Sequence, residues 1–203
     1  MIDSKKIKCL LFDMDGTVLA SEDLFDKAQL LLLKEYGISS NSFELKEFKG
    51  MSYKDFYPSF TDKFQLTLDV DVIRFKIRTY LHDIMETRLK FIDGFEHFFN
   101  HYIKPYNFQV GLVTNTTRLS YQKIQKCINI DDYFKYVITV NESTEPKPSP
   151  APYFQAMDYL SLNAKNTLII EDSNTGLTSA VKTGAKVIGI TTTLNKEQMQ
   201  KNK

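Results

Sequence analysis

The chain has 203 residues, 42% of them hydrophobic and 25% charged, with a formal net charge of +1. That balance suits a globular domain with one sizeable core and excludes the strongly basic surface with which a whole domain binds nucleic acid. The apolar run before Asp13 covers only residues 9–12, too short for a signal-peptide core or a membrane span, so no membrane is implicated and a cytoplasmic location is expected.

In chain order, residues 7–12 read as the first strand, ending at Asp13. Residues 22–36 read as a helix, with Leu24, Ala28, Leu31 and Leu32 on one face and Gly37 as its stop. Residues 52–57 and 70–90 are further helical segments, and nothing between them reads as a strand. Beyond residue 94 the pattern changes. Short runs rich in Val and Ile at 110–114, 136–140, 167–170 and 187–190 alternate with helical stretches at 94–103, 118–127, 150–160 and 174–183. Such runs suit strands buried on both faces. Strand–helix alternation predicts a parallel sheet with helices on both faces. The expected organisation is a discontinuous α/β core, residues 1–19 and 91–203, interrupted by an α-helical cap over residues 20–90. Cys9 and Cys127 fall in stretches that read as buried, which predicts reduced thiols rather than a disulfide.

Ligands bind beyond the carboxyl ends of the strands in open parallel sheets. The first predicted strand runs into Asp13-Met14-Asp15-Gly16-Thr17, the second into Thr114-Asn115, and the fourth into Glu171-Asp172-Ser173-Asn174; the loop after the third carries Pro146-Lys147-Pro148. Carboxylates gathered at one edge repel one another unless a cation joins them. Oxygen ligands with no His or Cys beside them suit Mg²⁺. A carboxylate nucleophile, a lysine and backbone amides together suit phosphoryl transfer. An Asp-Gly turn or a helix cap would account for each motif taken singly.

At these residues the sequence resembles the haloacid dehalogenase superfamily, in the branch with a helical cap after the first motif, similar to β-phosphoglucomutases and phosphoglycolate phosphatases. The resemblance implies a Rossmann-like three-layer α/β/α sandwich. It implies Asp13 as nucleophile and Asp15 as acid and base. Thr114, Asn115, Lys147 and Gly16 would hold the phosphate. Mg²⁺ would sit on the Asp13 carboxylate, the Asp15 carbonyl and the Asp172 carboxylate, with Glu171 close by. The substrate would be a small phosphorylated metabolite, and the protein a monomer, with a dimer left open.

Three departures bear on substrate. Ala20 stands where relatives commonly carry a further Asp, and Pro146 where Gly often precedes the lysine. Phe25 and Tyr53 occupy the cap positions that are His and Arg in the similar mutases. A phosphatase is therefore expected, with a phosphomutase or a catalytically idle binding module as alternatives. Lys49 and Tyr53, in the cap loop that faces the active site in relatives, are the specificity candidates. The aromatic residues Phe43, Phe48, Tyr53, Phe56 and Tyr57 are expected to form the cap's own core, and His97 with His101 a surface pair.

Overall fold

The structure, a computed structural model, describes residues 6–49, 51 and 53–200, the side chains of Tyr53 and Gln200 excepted. Five parallel strands form one sheet in the order β3-β2-β1-β4-β5: β1 (Cys9–Phe12), β2 (Gln109–Val113), β3 (Tyr136–Ile138), β4 (Thr167–Glu171) and β5 (Lys186–Gly189). Alternate side chains of β1 serve opposite faces, as the two-residue period of a strand requires. Leu10 and Phe12 join a core with Phe95, Phe99, Tyr121 and Ile124, whereas Cys9 and Leu11 join one with Tyr153, Ala156, Met157 and Ala180. These second sets come from helices on the two sides of the sheet. The fold is the expected three-layer α/β/α sandwich.

Between β1 and β2 the chain is helical: α1 (Glu22–Glu35), α2 (Tyr53–Lys63), α3 (Val70–Arg88) and α4 (Phe95–Phe98). The segment from α1 to α3 has an apolar cluster of its own, built from Ala28, Leu32, Leu33, Phe48, Phe56, Phe60, Ile73 and Ile77. Its entry and exit lie side by side. Ala20 N–H donates to Lys90 O at 3.0 Å, Ile92 N–H donates to Val18 O at 2.9 Å, and Leu19 bridges Phe91. Two adjacent chain crossings thus tie the helical segment to the sheet. The remaining helices are α5 (Arg118–Cys127), α6 (Ala151–Tyr159), α7 (Asn174–Val181) and α8 (Lys196–Gln200).

Several local expectations are corrected. Leu31 is exposed, and Leu33 takes its place on the buried face of α1. Phe43 is exposed on the surface, and Cys127 is only half-buried, although both cysteines are free. Helix α2 continues past Pro58 to Lys63, because its apolar face, Phe56, Tyr57 and Phe60, is buried and outweighs the bond that proline removes. Strand β3 stops at Ile138, and beyond it the Glu142 carboxylate accepts from both Thr139 N–H (2.8 Å) and Thr139 Oγ1 (2.6 Å). Strand β5 lies at the sheet edge, so Ile188 is exposed rather than covered on both faces. Residues 99–103 continue α4 as a π-helical turn. An α-helix drifts about 40° over each four residues. The wider turn offsets that drift and keeps Phe95, Phe99 and Ile103 all buried.

Candidate functional site

The motif residues meet at the carboxyl edge of the sheet. Asp13 follows β1 directly, its N–H still donating to Ile170 O of β4 at 3.0 Å. The loop then folds tightly: Met14 O accepts from the N–H groups of Thr17, Val18 and Leu19, and Gly16 N–H returns to Leu19 O. Gly16 has φ +76°, and a Cβ there would lie 1.9 Å from Asp172 Oδ2. Glycine is therefore required twice over, for conformation and for space.

Lys147 joins the strands. It is 5% exposed, which rules out a loose surface loop, and its Nζ donates to Asp13 Oδ1 (2.6 Å), Glu171 Oε1 (2.6 Å) and Val113 O (2.8 Å). Asn115 sets its backbone from below. The Asn115 amide donates to Lys147 O, and Lys147 N–H donates to Asn115 Oδ1, both at 3.0 Å. Glu171 is fully buried, and its Oε1 also accepts from Tyr153 Oη at 2.6 Å. Its Oε2 accepts from Asp172 N–H at 3.2 Å. Gly176 leaves room for that carboxylate, since a Cβ there would fall 1.9 Å from Glu171 Oε2. Asp172 accepts from Thr17 Oγ1 at 3.2 Å and from Thr193 Oγ1.

Asp15 is held at both oxygens. Ser21 Oγ donates to Oδ1 at 2.6 Å, and Thr116 Oγ1 donates to Oδ2 at 2.7 Å. Ser21 occupies the N-cap of α1 yet makes no side-chain cap bond, so its hydroxyl serves Asp15 instead of the helix. Thr114, 3% exposed, accepts from Thr116 N–H at 3.0 Å and faces the same cavity.

The electrostatics leave a charge imbalance. Oxygens of Asp13, Glu171 and Asp172 lie within 4.8 Å of one another, against one ammonium from Lys147. Burial alone would push Lys147 down, but the Asp13 and Glu171 carboxylates prevail and raise it, so it stays cationic. Burial first, and then the charge of Glu171, push Asp13 well above the usual carboxylate range despite Lys147. Burial likewise pushes Asp172 up to about 7, against the hydrogen bonds from Thr193 and Thr17. An all-oxygen cluster short of positive charge has the donor chemistry of a Mg²⁺ site.

A cavity of about 180 Å³ lies between these groups and the helical segment. From the helical segment it is lined by Glu22, Phe25, Asp26, Gln29, Lys49, Arg78 and His82. Lys49 pairs with Asp26 at 3.2 Å, and Phe25 packs on Phe56 at 5.2 Å between ring centroids. Burial, followed by the charges of Asp172 and Asp15, pushes the Glu22 carboxyl up to about 8. Burial, with Lys123 and Arg78 nearby, pushes His82 down to about 4. The Tyr53 side chain lies outside the described residues. His97 and His101 stack on the surface at 4.2 Å between centroids, away from the cavity.

All the sequence-predicted residues with described side chains, from Asp13 to Asp172, therefore meet at one cavity or directly behind it. Ser21, Glu22, Gln29, Thr116, Tyr153 and Thr193 belong to the same assembly and were missed. The hydroxyls were the traceable ones: Ser21 and Thr116 each follow a motif closely in sequence.

The sequence profile of the haloacid dehalogenase-like hydrolases matches residues 10–190. A pyrophosphatase PpaX from Bacillus mycoides is 25% identical over 194 residues, covering 93% of this chain and 86% of its own length. Among solved structures, a haloacid dehalogenase-like protein of unknown function from Agrobacterium tumefaciens superposes with a TM-score of 0.81 at 20% identity, covering 97% of this chain and 90% of its own. CbbY from Rhodobacter sphaeroides, solved with phosphate, gives 0.70 at 20% identity, covering 90% and 85%. These structures share the fold. Since the profile spans most of the chain and the fold agrees with it, the protein belongs to the haloacid dehalogenase-like hydrolase family.

Proposed function

We propose that the protein is a Mg²⁺-dependent phosphatase that hydrolyses a small phosphomonoester through an aspartyl-phosphate at Asp13. The observation that carries this reading is Lys147 Nζ at 2.6 Å from Asp13 Oδ1, with Asp172 beside them and Asp15 fixed at both oxygens. An Asp13 oxygen attacks phosphorus, the ester P–O bond breaks, and Asp15 protonates the departing oxygen. Water then attacks phosphorus, giving its proton to Asp15 and freeing Asp13 and inorganic phosphate. Lys147, Thr114 and the amides around Gly16 and Asn115 hold the phosphoryl oxygens. The Asp13 and Asp172 carboxylates and the Asp15 carbonyl would hold Mg²⁺, which when bound supplies charge neutralisation at the phosphoryl group. Glu171 and Tyr153 anchor Lys147. Residues 20–90 act as a cap that closes over the bound ester, with residues 1–19 and 91–203 as the catalytic core. Lys49 and Tyr53 are proposed to shape specificity from the cap.

The relatives named pyrophosphatase support hydrolysis of a small phosphorylated compound. A mutase reading is not favoured, since Phe25 presents an aromatic ring to the cavity where mutases use a hydrogen-bonding side chain. The test is phosphate release from a panel of phosphomonoesters, with Mg²⁺ and then with a chelator. Release with Mg²⁺, lost on chelation, is expected; no release from any ester would refute the proposal.

Ser21→Ala should separate chemistry from folding. Because the hydroxyl does not cap α1 and only its bond to Asp15 is lost, the stability loss should stay within about 2 kcal/mol. Freeing Asp15 at Oδ1 should lower kcat about tenfold. Kinetics paired with thermal melting check both, and a loss of stability without loss of rate would contradict the assignment.

The raised Asp172 carboxyl predicts a pH dependence with a definite sign. Between about pH 4 and pH 7 the metal-free folded state holds more protons than the unfolded state, so this group makes stability fall as pH rises through that window. Mg²⁺ competes with those protons. The rise in melting temperature on adding Mg²⁺ should therefore be larger at pH 8 than at pH 5.5; an equal rise would contradict it.

A further inference from the structure

The wall of the cavity facing away from Lys147 has hydrogen-bonding capacity that the protein leaves unused. Gln29 is 2% exposed and lines the cavity from α1. Its Nε2 donates to Phe25 O at 3.2 Å, but its Oε1 is buried with no partner among the described residues. A buried amide oxygen without a donor is costly and uncommon. Glu22, about two turns earlier on the same helix, also lines the cavity and makes no hydrogen bond among the described residues. Two polar side chains of one helix thus line the cavity, one of them with an oxygen that no protein group among the described residues satisfies.

The charge on that wall argues against a second phosphate there. The Lys49 ammonium is already engaged by Asp26 at 3.2 Å, and Glu22, its carboxyl pushed up to about 8, is mostly protonated near neutral pH. His82 receives the Lys123 ammonium at Nδ1, 2.8 Å away, and is uncharged near neutral pH, having been pushed down to about 4. The wall's balance is then one positive charge, from Arg78, against the two negative charges of a second phosphate. The aromatic sides of the wall, Phe25, Phe48 and Phe56, suit carbon.

Resting on the phosphatase reading above, we propose that the substrate's leaving group is an uncharged or ammonium-bearing organic group whose hydrogen-bond donors are read by Gln29 Oε1 and Glu22, and that it is not a second phosphate. Gln29 is then a specificity residue: satisfying its orphan acceptor rewards a donor-bearing ester and gives nothing to one without donors.

The experiment compares kcat/KM of the full chain with Mg²⁺ for sorbitol 6-phosphate, phosphoethanolamine, acetyl phosphate and pyrophosphate. At least one of the two donor-bearing esters should exceed pyrophosphate tenfold or more, and the better of them distinguishes hydroxyl from ammonium. Gln29→Leu should reduce that preference over acetyl phosphate by about tenfold. Pyrophosphate as the best substrate would overturn the inference while leaving a phosphatase in place, and so would a Gln29→Leu loss equal for every substrate. Failure to hydrolyse all four would instead remove the phosphatase reading on which the inference stands. The wild-type ranking decides the matter even if Gln29→Leu does not fold.

Discussion

Asp13→Asn is expected to abolish phosphate release, by about 10⁴ or more in kcat, while the metal-free protein melts no lower than wild type. An amide oxygen is a poor nucleophile toward phosphorus and carries no charge to bind a cation. Stability moves the other way. Burial and the neighbouring Glu171, Asp172 and Asp15 penalise the ionised Asp13 by more than Lys147 favours it, which is why its carboxyl is raised. Asparagine removes the penalty and still offers an oxygen to Lys147. Active-site residues commonly trade stability for function in this sense. Steady-state kinetics and melting in chelator check the two halves; a variant that lost both activity and fold would contradict this picture of the site's energetics.

Lys147→Met is expected to lose both. The ammonium fills three acceptors at 2.6, 2.6 and 2.8 Å, and its Nζ sits 4.9 Å from the Tyr153 ring centroid. Methionine fills the volume but leaves the buried Asp13 and Glu171 carboxylates facing each other without a cation. Removing one partner of a buried ion pair costs about 3–5 kcal/mol. Loss of the positive charge at the phosphoryl group adds a fall in kcat of about 10³. Denaturant midpoints and kcat are the measurements. Wild-type stability in Lys147→Met would mean that Glu171 and Asp13 are not held by this lysine.

The contrast between these two variants shows what a sequence can and cannot reveal. Strand ends were legible because apolar runs stop abruptly at Asp13, Thr114 and Glu171, and parallel connections force those ends to one edge. Lys147 was legible by its place after the third strand. What could not be read was which hydroxyl serves which carboxylate. Ser21 looks like an ordinary helix cap, and only the fold shows its oxygen turned to Asp15. Thr193 lies 21 residues beyond Asp172, and Tyr153 lies 18 before Glu171, with no periodicity to link them. Gln29 is one polar residue in a helix whose pattern reports only its apolar face. Leu31 and Leu33 were exchanged for a related reason: adjacent leucines on α1 leave the direction of the face ambiguous by one step.

The proposed reaction bonds phosphorus to Asp13. The direct measurement is rapid acid quenching during turnover of acetyl phosphate with Mg²⁺, followed by mass analysis of the peptide carrying Asp13, in wild type and in Asp15→Asn. Acetate leaves without needing a proton, so the variant should load normally but lack the base that activates water. One added phosphoryl group on Asp13 is expected, with much greater accumulation in Asp15→Asn. Phosphate release without label on Asp13, or label on another residue, would contradict it.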